Sequence, residues 1–401
     1  MGEKKNGFST SYVTDLYDAQ SKLVQEEITG SNVMLVSENG GPVYYQIMNS
    51  KRKSDKNITE DTIFPIASMT KPITIVAIMI LVEKGLIDVN APVKYYLPMF
   101  DKLKVKRKIS TEIAKNELLV HHLMSHRSGF SYNYRVNSGS PLPSQNQFRD
   151  LKEFVNVAAR TPVEFEPGSS FVYGINQAIL GRLIEVVSNE PFEVFLQNNI
   201  FRPLLMNTTG FSLLDEQRKH LQSNFLSPLS YDIIHDGPLQ VIRRYVYRKK
   251  MLAMSQLCNF NPQNRAHFGG EGLLSTMNDY ANFCEMLTCN GEFKGQRILK
   301  ASSIETITKS HTQDFDEKSA LFNWPTGYDV GLSVFVKNKS KTEKTKAPVG
   351  IFGWSGIQNT HFWIDQENKL FGLFMSRSLD FDWNIPILLR EALYGSNDDL
   401  F

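Results

Sequence analysis

A chain of 401 residues, 41% hydrophobic and 21% charged, has the composition of a soluble globular protein, with enough apolar material for one large domain or two intertwined ones. Its net charge of +2 gives no ground for nucleic-acid binding, and three cysteines (Cys258, Cys284, Cys289) are too few and too irregular for a disulfide framework or a zinc site. The eight histidines, the pair His121-His122 included, show no metal-ligand spacing, so neither a metal nor another cofactor is expected.

The first six residues lack the apolar core of a signal peptide, and Asn6 stands where a myristoylation signal needs Ser or Thr. The longest apolar run, residues 73–82, is too short to span a bilayer. The expectation is a soluble, cytoplasmic chain, or a periplasmic or secreted one if a leader has been removed. Residues 11–27 read as an amphipathic helix ended near Gly30. Residues 33–36 and 43–48 read as strands around Glu38-Asn39-Gly40-Gly41, a strong hairpin signal.

Next comes Phe64-Pro65-Ile66-Ala67-Ser68-Met69-Thr70-Lys71-Pro72, followed by a long apolar run with Ile73, Val76, Ile80 and Leu81. Pro72 suits a helix start, where backbone N–H groups lack partners anyway. Ser68 and Lys71, three apart, would then project from one face of that helix, hydroxyl beside amine. The helix N-terminus adds unpaired N–H groups suited to a developing oxyanion. Ser-x-x-Lys alone is weak, since on the order of one or two copies arise by chance in a chain this long. A second copy, Ser50-Lys51-Arg52-Lys53, lies in a charged stretch that reads as a solvated loop.

Past a proline-marked passage and a basic loop at 102–108, residues 118–124 read as a helix ending at Ser125-His126-Arg127-Ser128-Gly129. His126 is a candidate general base, but a histidine in a turn closed by glycine more often holds backbone. Residues 151–159 read as a helix, Pro167-Gly168 as a turn leading to Tyr173-Gly174-Ile175-Asn176, and 177–188 and 192–196 as helices. Residues 213–264 have no clear period and read as an irregular, lid-like stretch. Within it Arg243-Arg244-Tyr245-Val246-Tyr247-Arg248 interleaves cations and aromatics as a polyanion contact would, though such runs are mostly solvated faces. Gly269-Gly270-Glu271-Gly272 resets the chain before a helix at 278–287. Residues 328–336, 350–364 and 370–376 read as three strands, with a closing helix at 383–393.

Strands at both ends and helices between them predict an α+β fold: a mainly antiparallel sheet flanked by helices, with an inserted all-helical domain. Residues 1–85 and 295–401 would form the α/β sandwich and 86–294 the helical domain.

Five motifs in order resemble one superfamily: Phe64 to Lys71, the His126-Arg127-Ser128-Gly129 turn, Pro167-Gly168 with Tyr173-Gly174, Gly269-Gly270-Glu271-Gly272, and Phe352-Gly353-Trp354-Ser355-Gly356. They are similar to the class C β-lactamase-like serine hydrolases (the β-lactamase and penicillin-binding-protein fold), which include DD-peptidases and family VIII carboxylesterases. The similarity spans roughly residues 12–395. It implies Ser68 as nucleophile, Lys71 as the amine that deprotonates it and Tyr173 as second base or proton shuttle. A serine hydroxyl needs an adjacent base, and a tyrosine beside a cation gives up its proton more readily. The resemblance also implies an oxyanion hole of the Ser68 and Ile357 backbone N–H groups, with Trp354, Ser355, Gly356 and Asn176 binding substrate.

Two departures matter. No Lys-Thr-Gly occurs anywhere, and Trp354-Ser355-Gly356 in its place resembles the esterase branch. The usual Tyr-x-Asn is stretched here, with Asn176 three residues past Tyr173. Both remove polar anchors for β-lactams and peptides, while ester hydrolysis needs fewer of them. The expectation is a carboxylesterase on short or medium acyl esters, with acyl transfer as a close variant. A β-lactamase or DD-peptidase comes second, and a non-catalytic penicillin-binding or assembly protein third. The partner is a small-molecule ester, amide or β-lactam, and the sequence leaves the oligomeric state open.

Overall fold

The computed structural model describes residues 11–132, 148–227, 262–312, 327–338 and 345–397, together with 245, 246, 249 and 260. The chain opens with α1 (Tyr12–Gln25), the hairpin β1 (Asn32–Glu38) and β2 (Gly41–Met48), β3 (Ile63–Pro65), a 3₁₀ turn (Ala67–Met69) and α2 (Thr70–Glu83). A small hairpin follows, β4 (Lys104–Lys106) and β5 (Thr111–Ile113), then α3 (Val120–Met124), α4 (Leu151–Ala158), α5 (Asn176–Ser188) and α6 (Phe192–Leu196). β6 (Leu274–Thr276) runs into α7 (Met277–Thr288), the short pair β7 (Glu292–Phe293) and β8 (Gln296–Arg297), and α8 (Ala301–Thr308). The chain closes with β9 (Tyr328–Val330), β10 (Phe335–Lys337), β11 (Phe352–Gly356), β12 (Thr360–Asp365), β13 (Leu370–Ser376) and α9 (Asn384–Tyr394).

The main sheet has seven strands in the order β2-β1-β13-β12-β11-β10-β9, every pair antiparallel. This is the expected α+β fold, its sheet built from both ends of the chain. The β1–β2 turn works because Asn39 and Gly40 both take positive φ, +53° and +79°, which matches the twist of a two-residue hairpin. Alternate residues then supply two cores. Met34, Val36, Trp363 and Phe374 pack with Leu16, Leu23, Leu389 and Leu393 of α1 and α9. Val33, Leu35, Phe362, Leu373 and Met375 join the large core that holds α2, α5 and α7.

Within that core α2 is buried on nearly every side from Thr70 to Leu81, so it is a central helix rather than a one-faced surface helix. That burial fixes the position of the turn in front of it. Truncating one of its isoleucines to alanine would cost about 2–5 kcal/mol, through lost burial and the cavity left behind.

Three expectations need correction. Residues 328–336 are two strands, not one: β9 and β10 pair antiparallel around a turn in which the Gly331 N–H donates to the Val334 carbonyl and Ser333 has φ +56°. Residues 350–364 likewise fold into β11 and β12, separated by a turn at 357–359 where Asn359 takes φ +57°. In both places the alternating apolar pattern runs straight through the turn, so periodicity does not register it. Ser68 also precedes α2 instead of lying within it. The lid-like stretch and the 243–248 cluster lie mostly outside the described residues. Of the lid-like stretch, residues 213–227 lie along β3 and the end of β13, with Gln222 N–H donating to Ile63 O and Phe225 N–H to Arg377 O. Among the described residues no helix is long and apolar enough to cross a membrane.

Candidate active site

The chain changes direction sharply just before α2. Ala67 takes φ +44°, a region that costs a non-glycine residue about 1–3 kcal/mol and persists only where its surroundings impose it. Those surroundings are β3, which pairs with β6, and the Tyr280 hydroxyl of α7, which donates to Met69 O at 2.9 Å. Ser68 sits next in the 3₁₀ turn, and Lys71 lies one turn on in α2.

Lys71 is 0% exposed, yet its amine is fully engaged. Nζ reaches Ser68 Oγ at 3.1 Å, Tyr132 Oη at 3.0 Å and Gly270 O at 2.6 Å. Three acceptors match the three hydrogens of an ammonium group. Tyr173 donates its hydroxyl to Ser68 Oγ at 2.8 Å, and Lys71 Nζ stands 4.6 Å from the centre of the Tyr173 ring. Ser68, Lys71 and Tyr173, separated by up to 105 residues in sequence, therefore share one hydrogen-bond cluster. Such a cluster can polarise a serine hydroxyl and take up its proton.

β11 lies against the Ser68 turn. A methyl group on Gly356 would stand 2.4 Å from Ile66 O and 2.3 Å from Thr360 Oγ1, so only glycine permits this approach. The close contact sets the end of β11, and Ile357 after it, beside the start of α2; the Ile357 side chain is 42% exposed. Trp354 is only 4% exposed, its ring stacked on Phe335 at 4.2 Å and 5.9 Å from Tyr173. It supports the Tyr173 ring from the core side. The Ser355 side chain bonds His361 Nδ1 at 2.8 Å, on the sheet face that carries Phe374. That is the face opposite Trp354, so the Ser355 hydroxyl is not brought to the cluster.

Nor is Asn176 brought there. It is fully buried at the start of α5, where it accepts from the Ser128 hydroxyl and lies 2.9 Å from His126 Nδ1. Gln177 holds the other ring nitrogen of His126 at 3.1 Å. Burial, and then the Lys71 charge, push the His126 imidazole well below its ordinary value, so it stays neutral. With both nitrogens occupied by amides, His126 braces α5 and the Tyr173 turn instead of meeting substrate.

Two participants escaped the sequence reading. Tyr132 accepts from Lys71 and donates to Glu271 Oε2 at 3.2 Å, and Glu271 Oε2 is 4.0 Å from Lys71 Nζ. Burial raises the Glu271 carboxyl, while the Lys71 charge and the Tyr132 hydroxyl pull it back. A carboxylate set among glycines in Gly269-Gly270-Glu271-Gly272 was the available signal. Tyr132 carried none beyond following the His126 turn. Among the described residues no group of three or more His, Cys, Asp or Glu could hold a metal ion.

Comparison with known proteins agrees with this architecture. The chain is 24% identical over 380 residues to the esterase EstB of Burkholderia gladioli, covering 90% of each protein. It is 23% identical to a putative D-alanyl-D-alanine carboxypeptidase of Escherichia coli, covering 88% of this chain and 80% of that one. Among solved structures, EstCE1, described as a hydrolase with promiscuous acyltransferase activity, superposes with a TM-score of 0.76 at 17% identity, over 96% of this chain and 99% of that one; at that identity the likeness is one of fold. The profile of the Beta-lactamase family matches residues 21–387, nearly the whole chain, and the protein belongs to that family.

Proposed function

We propose that the protein is a serine hydrolase that forms an acyl-enzyme on Ser68 and acts as a carboxylesterase on short or medium acyl esters. The observation that carries this reading is the Ser68 hydroxyl held between Lys71 Nζ at 3.1 Å and Tyr173 Oη at 2.8 Å.

In the active form the Lys71–Tyr173 pair has lost one proton, and the group that lost it receives the proton of Ser68 as Oγ attacks the ester carbonyl. Lys71 Nζ and Tyr173 Oη both lie within hydrogen-bond reach of Ser68 Oγ, so Lys71 can take the serine proton directly or with Tyr173 as the shuttle. The backbone N–H groups of Ser68 and Ile357 are the proposed donors to the oxyanion. Collapse of the tetrahedral intermediate breaks the ester C–O bond, and Tyr173 returns the proton to the leaving alcohol. Water then attacks the acyl-enzyme by the same route, releasing the acid and restoring Ser68; an acceptor alcohol in place of water would give acyl transfer.

An ester substrate is supported by what lies where a cationic anchor would be needed. Trp354 is a core residue and the Ser355 hydroxyl is turned to His361, so neither offers a charge for a substrate carboxylate. The esterase among its relatives points the same way. The test is a p-nitrophenyl ester series of rising chain length beside a chromogenic cephalosporin, on wild type and Ser68→Ala. Ester turnover lost in the mutant, with little cephalosporin turnover, is expected. Full ester turnover in Ser68→Ala would refute the reading, and dominant cephalosporin turnover would replace the esterase with a β-lactamase.

A further inference from the structure

The cluster around Ser68 has a second arm that the proposed chemistry does not use. Lys71 Nζ donates to Tyr132 Oη at 3.0 Å, and Tyr132 donates onward to Glu271 Oε2 at 3.2 Å. The same oxygen stands 4.0 Å from Nζ, the only ion pair Lys71 makes among the described residues. The amine thus lies between the reacting serine on one side and an anion on the other. The Glu271 side chain keeps 26% of its surface exposed, and the burial it does have raises its carboxyl, opposed by the Lys71 charge and the Tyr132 hydroxyl.

The geometry points to Glu271 as a positioning residue for the Ser68 chemistry: acting through Tyr132 and directly on the Lys71 ammonium, its carboxylate sets the pH at which the Lys71–Tyr173 pair gives up its proton. The inference rests on the proposed role of Ser68. Its electrostatic basis does not depend on which of Lys71 and Tyr173 is the base, because a neighbouring negative charge makes every group beside it harder to deprotonate. Among the described residues, the charged and titratable groups facing this centre are the following. Lys71 comes from α2, Tyr132 from the segment after α3, and Tyr173 from the turn before α5. His126, behind Tyr173 with ring centres 4.8 Å apart, is kept neutral and contributes no charge. Among the described residues Glu271 is therefore the anion of the cluster, and its removal should be felt at Lys71.

Glu271→Gln keeps the shape and the acceptor for Tyr132 but deletes the charge; Glu271→Asp keeps the charge and draws it back. The experiment follows the rate of Ser68 labelling by a fluorophosphonate, and of p-nitrophenyl butyrate hydrolysis, from about pH 5 to about pH 10 in both variants and the wild type. The acid limb of both profiles should move to lower pH by about 1–3 units in Glu271→Gln, as removal of an opposite charge at this distance requires, with Glu271→Asp in between. A residue that merely holds the loop would lower the rate at every pH and leave the limb in place. That result, or an unshifted limb at full rate, overturns the inference while leaving the role of Ser68 intact. A wild-type protein that neither labels at Ser68 nor turns over ester overturns both. A Glu271→Gln variant that does not fold defers to Glu271→Asp and Tyr132→Phe. The limb must then move in the same direction in either of these, or the inference falls.

Discussion

Tyr173 donates its hydroxyl to Ser68 Oγ at 2.8 Å while its ring lies 4.6 Å from the Lys71 ammonium and 5.9 Å from the Trp354 ring. One side chain thus touches the proposed nucleophile, its proton partner and the strand beside them. Tyr173→Phe deletes only the hydroxyl and keeps the ring packed on His126 and Trp354. The rate of ester hydrolysis should fall by about 10²–10⁴-fold, the usual contribution of a general base. Thermal stability should stay within about 1 kcal/mol of wild type. A variant with undiminished kcat would remove Tyr173 from the chemistry.

Gly356 is the point where β11 meets the turn carrying Ser68. Gly356→Ala places a methyl group within 2.4 Å of Ile66 O and 2.3 Å of Thr360 Oγ1, both held by ordered structure. The strand must move away, and with it the Ile357 N–H proposed for the oxyanion. Expected is a loss of about 10²-fold or more in kcat with KM little altered, the signature of a lost transition-state contact. Steady-state kinetics on a p-nitrophenyl ester decide it; a raised KM at unchanged kcat would assign Gly356 to ground-state binding instead.

Asn176 separates a substrate contact from a scaffold residue. Its amide serves Ser128 and His126 inside the protein. Asn176→Ala leaves those buried groups short of partners and should cost about 1–3 kcal/mol in urea unfolding. KM for small esters should change by less than about twofold, because no substrate contact is lost. A large rise in KM at unchanged stability would return Asn176 to the substrate.

His361 gives stability a pH dependence with a definite sign. Burial, helped by the Arg390 charge, pushes its imidazole down to about 3, from an ordinary value of 6.5. The unfolded chain protonates near 6.5 and the folded one only near 3, so the unfolded state binds the extra proton in between. Stability is therefore lost as pH falls through that window and is fully present above it. His361→Gln removes this term. The stability gap between wild type and variant should narrow by about 2 kcal/mol on going from about pH 7.5 to about pH 5. Chemical denaturation at both pH values measures it, and a gap independent of pH would show that His361 titrates alike in both states.

Much of the fold was legible because its signals are local. The β1–β2 hairpin was written in Asn39-Gly40, α1 in its amphipathic period, and α5 and α7 in theirs. The two-ended sheet followed from strands at both termini. What failed was the count of C-terminal strands, because a turn at Gly331 or Asn359 keeps the apolar alternation going while the chain reverses. Burial of both sheet faces hides such turns, since no polar break is needed to mark them.

The sequence by itself determined the pairing of Ser68 with Lys71, since a spacing of three at a helix start leaves their side chains one turn apart wherever that helix is placed. It also determined the family resemblance and the lack of a cationic anchor at Trp354-Ser355-Gly356. Only the tertiary structure decided what surrounds the amine. Tyr132, Tyr173 and Gly270 reach Lys71 from segments 61 to 199 residues away, with Glu271 next to Gly270, and no local spacing can express a distance set by the packing of α2, α5 and the sheet. The same packing turned Asn176 and the Ser355 hydroxyl away from Ser68. In a close-packed core a polar side chain bonds whichever partner is nearest, and that partner is fixed by neighbours remote in sequence.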